Sequence, residues 1–212
     1  MTTDRRLAVT AALLYLVTWI TSVAALPLYA QGGRTQVLGG GLLEVILAAA
    51  VVGTSVALYP LLRQHGSAGA IGYVALRVLE AGVILIGVTA ILTTVAQPAS
   101  MASPSFAATS GFQLLHDWTF LIGPGLINPI NATVLAVLLL RCRLVPRFIP
   151  LLGIVGAVLV GGMNLAVMFG LMSAQPVLAL PLFAWEICLA TTLALRGIAS
   201  TTSTRVAQLA TV

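Results

Sequence analysis

The sequence predicts an all-α protein, an integral membrane bundle of six transmembrane helices with both termini in the cytoplasm. Three observations support this prediction: the composition, the number of long apolar segments and the positions of the arginines. The 212 residues are 59% hydrophobic and only 7% charged, with a mean hydropathy of +1.09. A soluble domain carries about 25% charged residues, because its surface faces water. Lipid must therefore cover most of this protein.

Six segments qualify as membrane spans, since a spanning helix needs about 20 predominantly apolar residues. We place segments 1 to 6 at residues 7–29, 39–62, 70–95, 114–140, 150–171 and 177–195. Polar or glycine-rich stretches such as "QGGRTQ", "RQHGSAG" and "SAQP" separate them. We therefore predict one transmembrane domain over residues 7–195, preceded by a cytoplasmic N-terminus at residues 1–6. The polar tail at residues 196–212 is expected to be cytoplasmic and disordered.

The arginines predict the orientation, because short cytoplasmic loops hold the excess of basic residues. The side of the bundle opposite both termini has only Arg34. The other side has Arg5, Arg6, Arg63, Arg141, Arg143, Arg147, Arg196 and Arg205. Both termini are therefore expected in the cytoplasm, and the protein in the inner (plasma) membrane of the cell.

Segment 1 has a second interpretation. "MTTDRR" followed by an apolar run and "SVA" is similar to a secretory signal peptide with a small-residue cleavage site. The apolar run, however, is as long as a full span and exceeds the roughly 7–15 residues of a signal-peptide core. We therefore expect segment 1 to stay in the bundle.

The composition also indicates what the protein does not bind. The net charge of +5 follows the topology pattern of the arginines and does not indicate nucleic acid. Cys142 lies in a predicted cytoplasmic loop, where thiols stay reduced, and Cys188 is expected to be a packing residue. The sequence has no CxxC pair and no Cys/His cluster with metal-ligand spacing. We expect no metal and no other cofactor.

Segment 3 carries two ionisable side chains near its centre, within "ALRVLEAGVILIG". From a rise of about 1.5 Å per residue, Arg77 lies roughly 8 Å from the midplane and Glu80 within roughly 3 Å. Residues three or four apart share a helix face, so Tyr73, Arg77 and Glu80 form one polar stripe. Each charge costs about 2.5–3.5 kcal/mol at a helix centre, and such residues nearly always face the bundle interior.

Other polar residues lie at the same depth. Glu186 falls in the middle of segment 6, and Asn128 in the middle of segment 4, with Asn131 one turn further along. Asp117 precedes Asn128 by eleven residues, almost three helical turns, so we expect both on one face. Our candidates for binding a ligand or a proton are Arg77, Glu80, Asn128, Asn131 and Glu186.

Three more residues, with Asp117, are secondary candidates: Glu44 in segment 2, His116 in segment 4 and Asn164 in segment 5. His116 and Asp117 are adjacent in sequence and point about 100° apart on a helix, so they are not a preformed catalytic pair. We expect His116 to be a polar anchor at the membrane interface, beside Trp118 as an aromatic belt residue.

The charges near the midplane do not balance, since Arg77 faces two carboxyl groups, Glu80 and Glu186. Two ionised glutamates with one arginine are unfavourable in a low dielectric. One carboxyl group is therefore expected to be protonated or neutralised by a bound cation. We also predict that Arg77 lies within salt-bridge reach of Glu186, because an unpaired arginine at this depth is costly.

Four stretches carry a resemblance to a known family: "LYPLLRQ", "LRVLEA", "RCRLVPRFIPLLGIVGAVL" and "FAWEICLATTLALRGI". In their order and spacing the chain resembles an uncharacterised bacterial membrane family, the domain of unknown function 4386 family. The resemblance implies a six-helix inner-membrane protein and supplies no known activity.

The resemblance also assigns residues to the family pattern. It maps an Arg-x-x-Glu in the third helix onto Arg77 and Glu80, and a glutamate of the sixth helix onto Glu186. It maps an arginine–proline–arginine loop onto Arg143, Pro146 and Arg147. The chain departs from the family at the end of segment 6, where "TTLALRGIA" replaces the usual "W-L-I-x-K-G-F" stretch.

Three functions are compatible with these residues. We favour a structural or accessory membrane subunit, whose buried polar centre specifies helix packing. The alternative is a small transporter or ligand-binding membrane protein that uses Arg77, Glu80 and Glu186. An intramembrane enzyme acting on a lipid is the third hypothesis. It lacks an evident nucleophile–base pair, so we name no catalytic residue and do not expect an enzyme.

The expected partners are the lipid bilayer and, at the cytoplasmic face, anionic lipids. Arg141, Arg143 and Arg147 lie in the predicted cytoplasmic loop between segments 4 and 5. Each basic residue near an anionic surface gains about 1 kcal/mol. The alternative is that these arginines act only as a topology signal.

Overall fold

The computed structural model describes residues 3–95 and 106–197, and this part of the chain consists of helices joined by short connections, without a strand. Its seven α-helices are α1 (Thr3–Gln31), α2 (Arg34–Leu62), α3 (Ser67–Thr93), α4 (Phe106–Ile122), α5 (Asn128–Arg141), α6 (Phe148–Met168) and α7 (Leu180–Leu195). A π-helical turn, Gly123–Ile127, joins α4 to α5, and a 3-10 turn, Pro176–Ala179, leads into α7. The fold class is therefore all-α, as predicted.

Six helical stretches are long and apolar enough to cross a membrane, and the fourth runs through α4, the π-helical turn and α5. Large apolar side chains such as Ile20, Leu79 and Val158 project outward and are more than half exposed. Such an outer surface is stable only where lipid covers it. This confirms the six predicted spans.

The helices start and end at somewhat different residues from those predicted. The first begins at Thr3, so residues assigned to a separate N-terminus extend it, and α2 begins at Arg34 instead of residue 39. Hydropathy detects the part of a helix that lies in hydrocarbon, whereas a helix continues through the interface as long as its backbone is hydrogen-bonded. The predicted tail lies outside the described residues from residue 198 onward.

The spans form a closed ring. Each span packs against the next one along the chain, and α7 returns to pack against α1. The turn between α1 and α2 is short because Gly32 adopts a positive φ of 68°, a conformation that favours glycine. Since all six spans border the same central space, side chains from distant parts of the sequence meet there.

The two ends of the ring are packed to different extents. We call the end at which α1 begins and α7 ends the terminal side. The largest cluster of buried apolar residues lies there and includes Ala8, Leu62, Ala70, Leu139 and Leu193. A smaller cluster packs α2 against α3 in the opposite half. The opposite half of the ring is therefore less completely packed, and a cavity lies there.

Candidate functional site

Helix α3 supplies the first part of a polar centre. Tyr73, Arg77 and Glu80 lie on its buried face, with 1%, 4% and 3% of their surface exposed. The spacing of four and three residues aligns them along one side of the helix. Arg77 Nη1 contacts Glu80 Oε2 at 3.1 Å, and Arg77 Nε donates to the Tyr73 hydroxyl at 3.4 Å. The predicted polar stripe is therefore internally hydrogen-bonded.

Helix α5 adds two amide side chains to this stripe. Asn131 Nδ2 donates to Glu80 Oε2 at 2.8 Å, and Arg77 Nη1 donates to Asn128 Oδ1 at 3.5 Å. Glu80 therefore accepts hydrogen bonds from Arg77 and Asn131 at the same oxygen. Asn131 is fully buried, whereas Asn128 is partly exposed to the central cavity.

Helix α1 contributes two aromatic residues that were not among the candidate site residues, Tyr15 and Trp19. The hydroxyl groups of Tyr15 and Tyr73 lie 3.1 Å apart, and the Arg77 guanidinium lies 5.7 Å from the centre of each ring. A cation within about 6 Å of an aromatic face is stabilised by the ring quadrupole. Trp19 carried a signal that could have identified it, because tryptophan prefers the membrane interface and this one lies in mid-span.

Glu186 of α7 completes the polar centre, but not through the predicted salt bridge. Its Oε2 accepts a hydrogen bond from Trp19 Nε1 at 2.9 Å. No ion pair joins it to Arg77, whose carboxylate partner is Glu80. The prediction was wrong because the sixth span packs against the first and fifth spans, so Trp19 is the nearer donor. Asn128, both glutamates and Arg77 line the same cavity.

The central cavity borders this polar centre on the side away from the termini. It has a volume of about 470 Å³, and every span contributes to its wall. Its polar floor consists of Arg77, Glu80, Asn128 and Glu186, and its wall is mostly apolar. The principal wall residues are Trp19, Leu47, Val51, Ile84, Phe120, Val160, Met163, Leu182 and Phe183.

The cavity opens at the surface of the bundle beside α1. Val23 and Leu26 line it and are also 52% and 63% exposed. Both residues belong to the apolar part of the first span, so the rim of the opening is apolar. An amphipathic molecule could therefore reach the polar floor from the lipid phase.

A second buried polar pair lies nearer the opposite end of the bundle. His116 Nε2 is 3.1 Å from both carboxylate oxygens of Glu44, and the two residues are 8% and 1% exposed. The His116 ring also packs against Tyr29 and Phe120. The expectation that His116 is an interfacial anchor was therefore wrong, because its imidazole is satisfied by a glutamate of α2. Glu44 and His116 lie at a similar depth in the second and fourth spans, and this similarity could have indicated the pair from the sequence.

Asp117 does not share the face of Asn128, contrary to the prediction. Its side chain is 77% exposed, and its Oδ1 lies 3.6 Å from His116 Nδ1. The prediction assumed a regular α-helix, whereas the π-helical turn lies between the two residues and changes the rotation per residue. Pro124 and Pro129 favour that turn, because a proline removes a backbone donor and clashes with the preceding turn.

Asn164 of α6 lies outside the polar centre. Its Nδ2 donates to the backbone carbonyl of Val160 at 2.9 Å, and its side chain packs against Gly125 of the π-helical turn. It therefore contributes to the packing of the fifth span against the fourth. Within residues 3–95 and 106–197, no three His, Cys, Asp or Glu side chains are grouped so that they could hold a metal ion.

The three arginines of the loop between α5 and α6 lie on the terminal side and are exposed. Leu144 and Val145 lie between the second and third of these arginines and are buried, so they anchor the loop to the bundle. Arg141 borders a surface depression between the start of α3 and the end of α5. The basic side chains thus point away from the core.

The comparisons with known proteins identify one family. Residues 7–197 match the family described as "Domain of unknown function (DUF4386)", which covers most of the chain. No curated protein and no solved structure matches the chain. With its six apolar spans and the family match over nearly its whole length, the chain is a multi-pass membrane protein that belongs to the DUF4386 family.

Proposed function

We propose that this protein binds a small amphipathic molecule in the central cavity, with the polar group of that molecule at the floor of the cavity, beside Asn128 and Glu186. The observation that supports this proposal is the cavity itself. Charged side chains are costly at mid-depth of a membrane, and here three of them border an open space instead of a dry, packed interior. A ligand-binding membrane protein is therefore favoured over a purely structural subunit.

The size and the chemistry of the cavity support the same conclusion. Ligand pockets have volumes of about 300–1,000 Å³ and combine a mostly apolar wall with a few convergent polar groups. The central cavity, at about 470 Å³, has this composition, with its polar groups gathered on the floor. The ligand would place its apolar part among side chains such as Ile84, Phe120 and Val160.

The chemistry on the cavity wall does not favour an enzyme. Thr18 and Ser22 are the hydroxyl residues that line the cavity among the described residues. Each donates to a backbone carbonyl of its own helix, at 2.8 Å and 3.2 Å. A hydroxyl nucleophile needs an adjacent base to accept its proton, and these hydroxyls are engaged elsewhere.

We propose further that the terminal side of the bundle is cytoplasmic and that the protein lies in the inner membrane. The clustering of arginines on that side supports this orientation. The cavity would then open in the outer half of the bilayer. Reporter fusions at the C-terminus and between residues 96 and 105, ahead of α4, test this, and a C-terminus outside the cytoplasm would contradict it.

A binding experiment with a matched pair of variants tests the cavity. The probe is 3-phenylpropanol, a neutral amphiphile, added to the purified protein in a non-ionic detergent, with Trp fluorescence and the unfolding temperature as readouts. We expect saturable binding that Val160→Phe abolishes, since Val160 lines the cavity. Val158→Phe is the control, because Val158 is on the same helix, 67% exposed and outside the cavity. Equal binding by both variants would contradict the proposal.

A further inference from the structure

Resting on the proposed ligand-binding function, we infer that the cavity selects a monovalent organic cation, a hydrophobic ammonium compound. Its charged group would lie between the Glu186 carboxylate and the aromatic rings of Trp19 and Phe183. Its apolar part would occupy the wall of the cavity. Three observations lead to this inference: the charge of the floor, the hydrogen bonds of its carboxylates, and the position of the two rings.

The floor of the cavity has a surplus negative charge. The charged residues that line it, among those described, are Arg77, Glu80 and Glu186. With both glutamates ionised, the single arginine leaves a net charge of −1. A buried charge without a partner is strongly unfavourable, and a single positive charge in the cavity would balance it.

The hydrogen bonds place the surplus charge on Glu186. Glu80 forms the ion pair with Arg77 at 3.1 Å and accepts a second hydrogen bond from Asn131 at 2.8 Å. Glu186 receives its hydrogen bond from the neutral indole of Trp19. It belongs to no ion pair, and it borders the cavity. Glu186 is therefore the carboxylate that a ligand cation can reach and neutralise.

Two aromatic rings stand beside this carboxylate. Trp19 and Phe183 line the cavity, with ring centres 4.4 Å apart and ring planes at 81°. Phe183 precedes Glu186 by three residues on α7, so both lie on one face of that helix. A carboxylate beside aromatic faces is a favourable site for a quaternary ammonium group, which cannot donate hydrogen bonds and is stabilised by ring quadrupoles.

An anionic ligand on Arg77 is the opposite possibility, and the contacts of Arg77 disfavour it. Its guanidinium already contacts Glu80, Asn128 and Tyr73, and it lies over two tyrosine rings. An anion would also add a third negative charge to a floor that already has two. The surplus of carboxylates therefore selects against it.

Isosteric probes test the charge preference directly. Phenyltrimethylammonium and tert-butylbenzene have the same shape and differ in one central atom, a charged nitrogen or a neutral carbon; benzenesulfonate supplies the negative charge. Affinities are measured from the probe-dependent rise in unfolding temperature and from Trp fluorescence. We expect the cation to bind about tenfold more tightly than its neutral isostere. We expect benzenesulfonate to bind least.

Substitutions at Glu186 identify the residue responsible. Glu186→Gln keeps an acceptor for Trp19 and removes the charge, so the preference for the cation should disappear while tert-butylbenzene still binds. Glu186→Asp keeps the charge and should retain the preference. Asp117→Asn, which removes an exposed carboxylate outside the cavity, should leave both affinities unchanged.

The outcomes separate this inference from the proposed function. Equal affinity for cation and neutral isostere, or tighter binding of benzenesulfonate, would overturn the selection of a cation and leave ligand binding in place. A preference for the cation that survives in Glu186→Gln would also overturn it. Failure of all three probes together with 3-phenylpropanol would contradict the proposed function itself.

Discussion

Trp19 Nε1 donates a hydrogen bond to Glu186 Oε2 at 2.9 Å, across the contact between the first and sixth spans. The bond joins residues that are 167 positions apart in the sequence. It holds a carboxylate at the edge of the central cavity and orients the indole ring that lines the same wall. The geometry of the candidate site therefore depends on this contact.

Removing the indole donor should destabilise the bundle. Trp19→Phe keeps an aromatic ring and leaves Glu186 without this hydrogen bond. A hydrogen bond to a charged group contributes about 1.5–3 kcal/mol, and we expect a loss of that size in the free energy of unfolding in detergent. Trp118→Phe is the control, because Trp118 is 39% exposed. Equal losses in the two variants would show that the effect is only a change in aromatic volume.

Arg77 should be more important for stability than Glu80. Arg77→Ala leaves Glu80 buried without a cation and Glu186 at the cavity without one nearby, which should cost about 3–5 kcal/mol. Glu80→Gln keeps an acceptor for Asn131 and leaves Glu186 as the carboxylate nearest to the arginine, so its cost should be smaller. Thermal unfolding of both variants, compared with Arg63→Ala at an exposed position, measures the difference. A larger loss for Glu80→Gln would refute this order.

The Glu44–His116 pair should behave as one unit. His116→Phe keeps the ring packing against Tyr29 and Phe120 but leaves the Glu44 carboxylate buried without its partner. The double variant Glu44→Leu/His116→Phe removes both polar groups and should recover much of the loss. A double-mutant cycle should give a coupling energy of about 0.5–3 kcal/mol. Coupling near zero would mean that the pair does not contribute to stability.

Two glycines of α6 should respond in opposite ways to alanine. A Cβ atom on Gly156 would lie 2.6 Å from Leu182 Cα, whereas one on Gly162 would meet nothing within 4 Å. Gly156→Ala should therefore push α7 away and cost about 1–3 kcal/mol. Gly162→Ala should be neutral or stabilise the helix by about 0.5–1 kcal/mol. Unfolding of the two variants side by side tests this, and a tolerated Gly156→Ala would exclude close packing of α6 on α7.

The arginines of the loop between α5 and α6 should retain anionic lipid. Replacing Arg141, Arg143 and Arg147 with glutamine should weaken retention of phosphatidylglycerol during purification, at about 1 kcal/mol for each charge. The same triple variant, carrying a C-terminal reporter, shows whether the orientation depends on these residues. Unchanged lipid retention together with unchanged orientation would assign no role to the loop.

Much of the fold follows from local sequence, because hydrophobic length alone specifies a spanning helix. The contact between Arg77 and Glu80 was also predictable, since a spacing of three residues places them on one helix face. Both features depend on residues close together in the chain.

The contacts between spans could not be predicted in the same way. Whether Glu186 meets Arg77 or Trp19 depends on which helices are neighbours and how each is rotated. One sequence contains little of that information, because lipid-facing and core-facing residues are similarly apolar. The π-helical turn adds a second difficulty, since it changes the face of every residue before Asn128 relative to those after it. Asp117 was assigned to the wrong face for this reason.

The closed ring has a consequence for biosynthesis. Arg77 and Glu80 leave the ribosome on the same helix and can neutralise each other as the third span inserts. Glu186 enters the membrane last among the residues of the polar centre, and its hydrogen-bond donor Trp19 belongs to the first span. The cavity therefore comes into existence only when the sixth span docks against the first. A nascent chain that stalls before this step lacks α7, so Trp19 has no carboxylate acceptor and the charged floor has no α7 wall beside it.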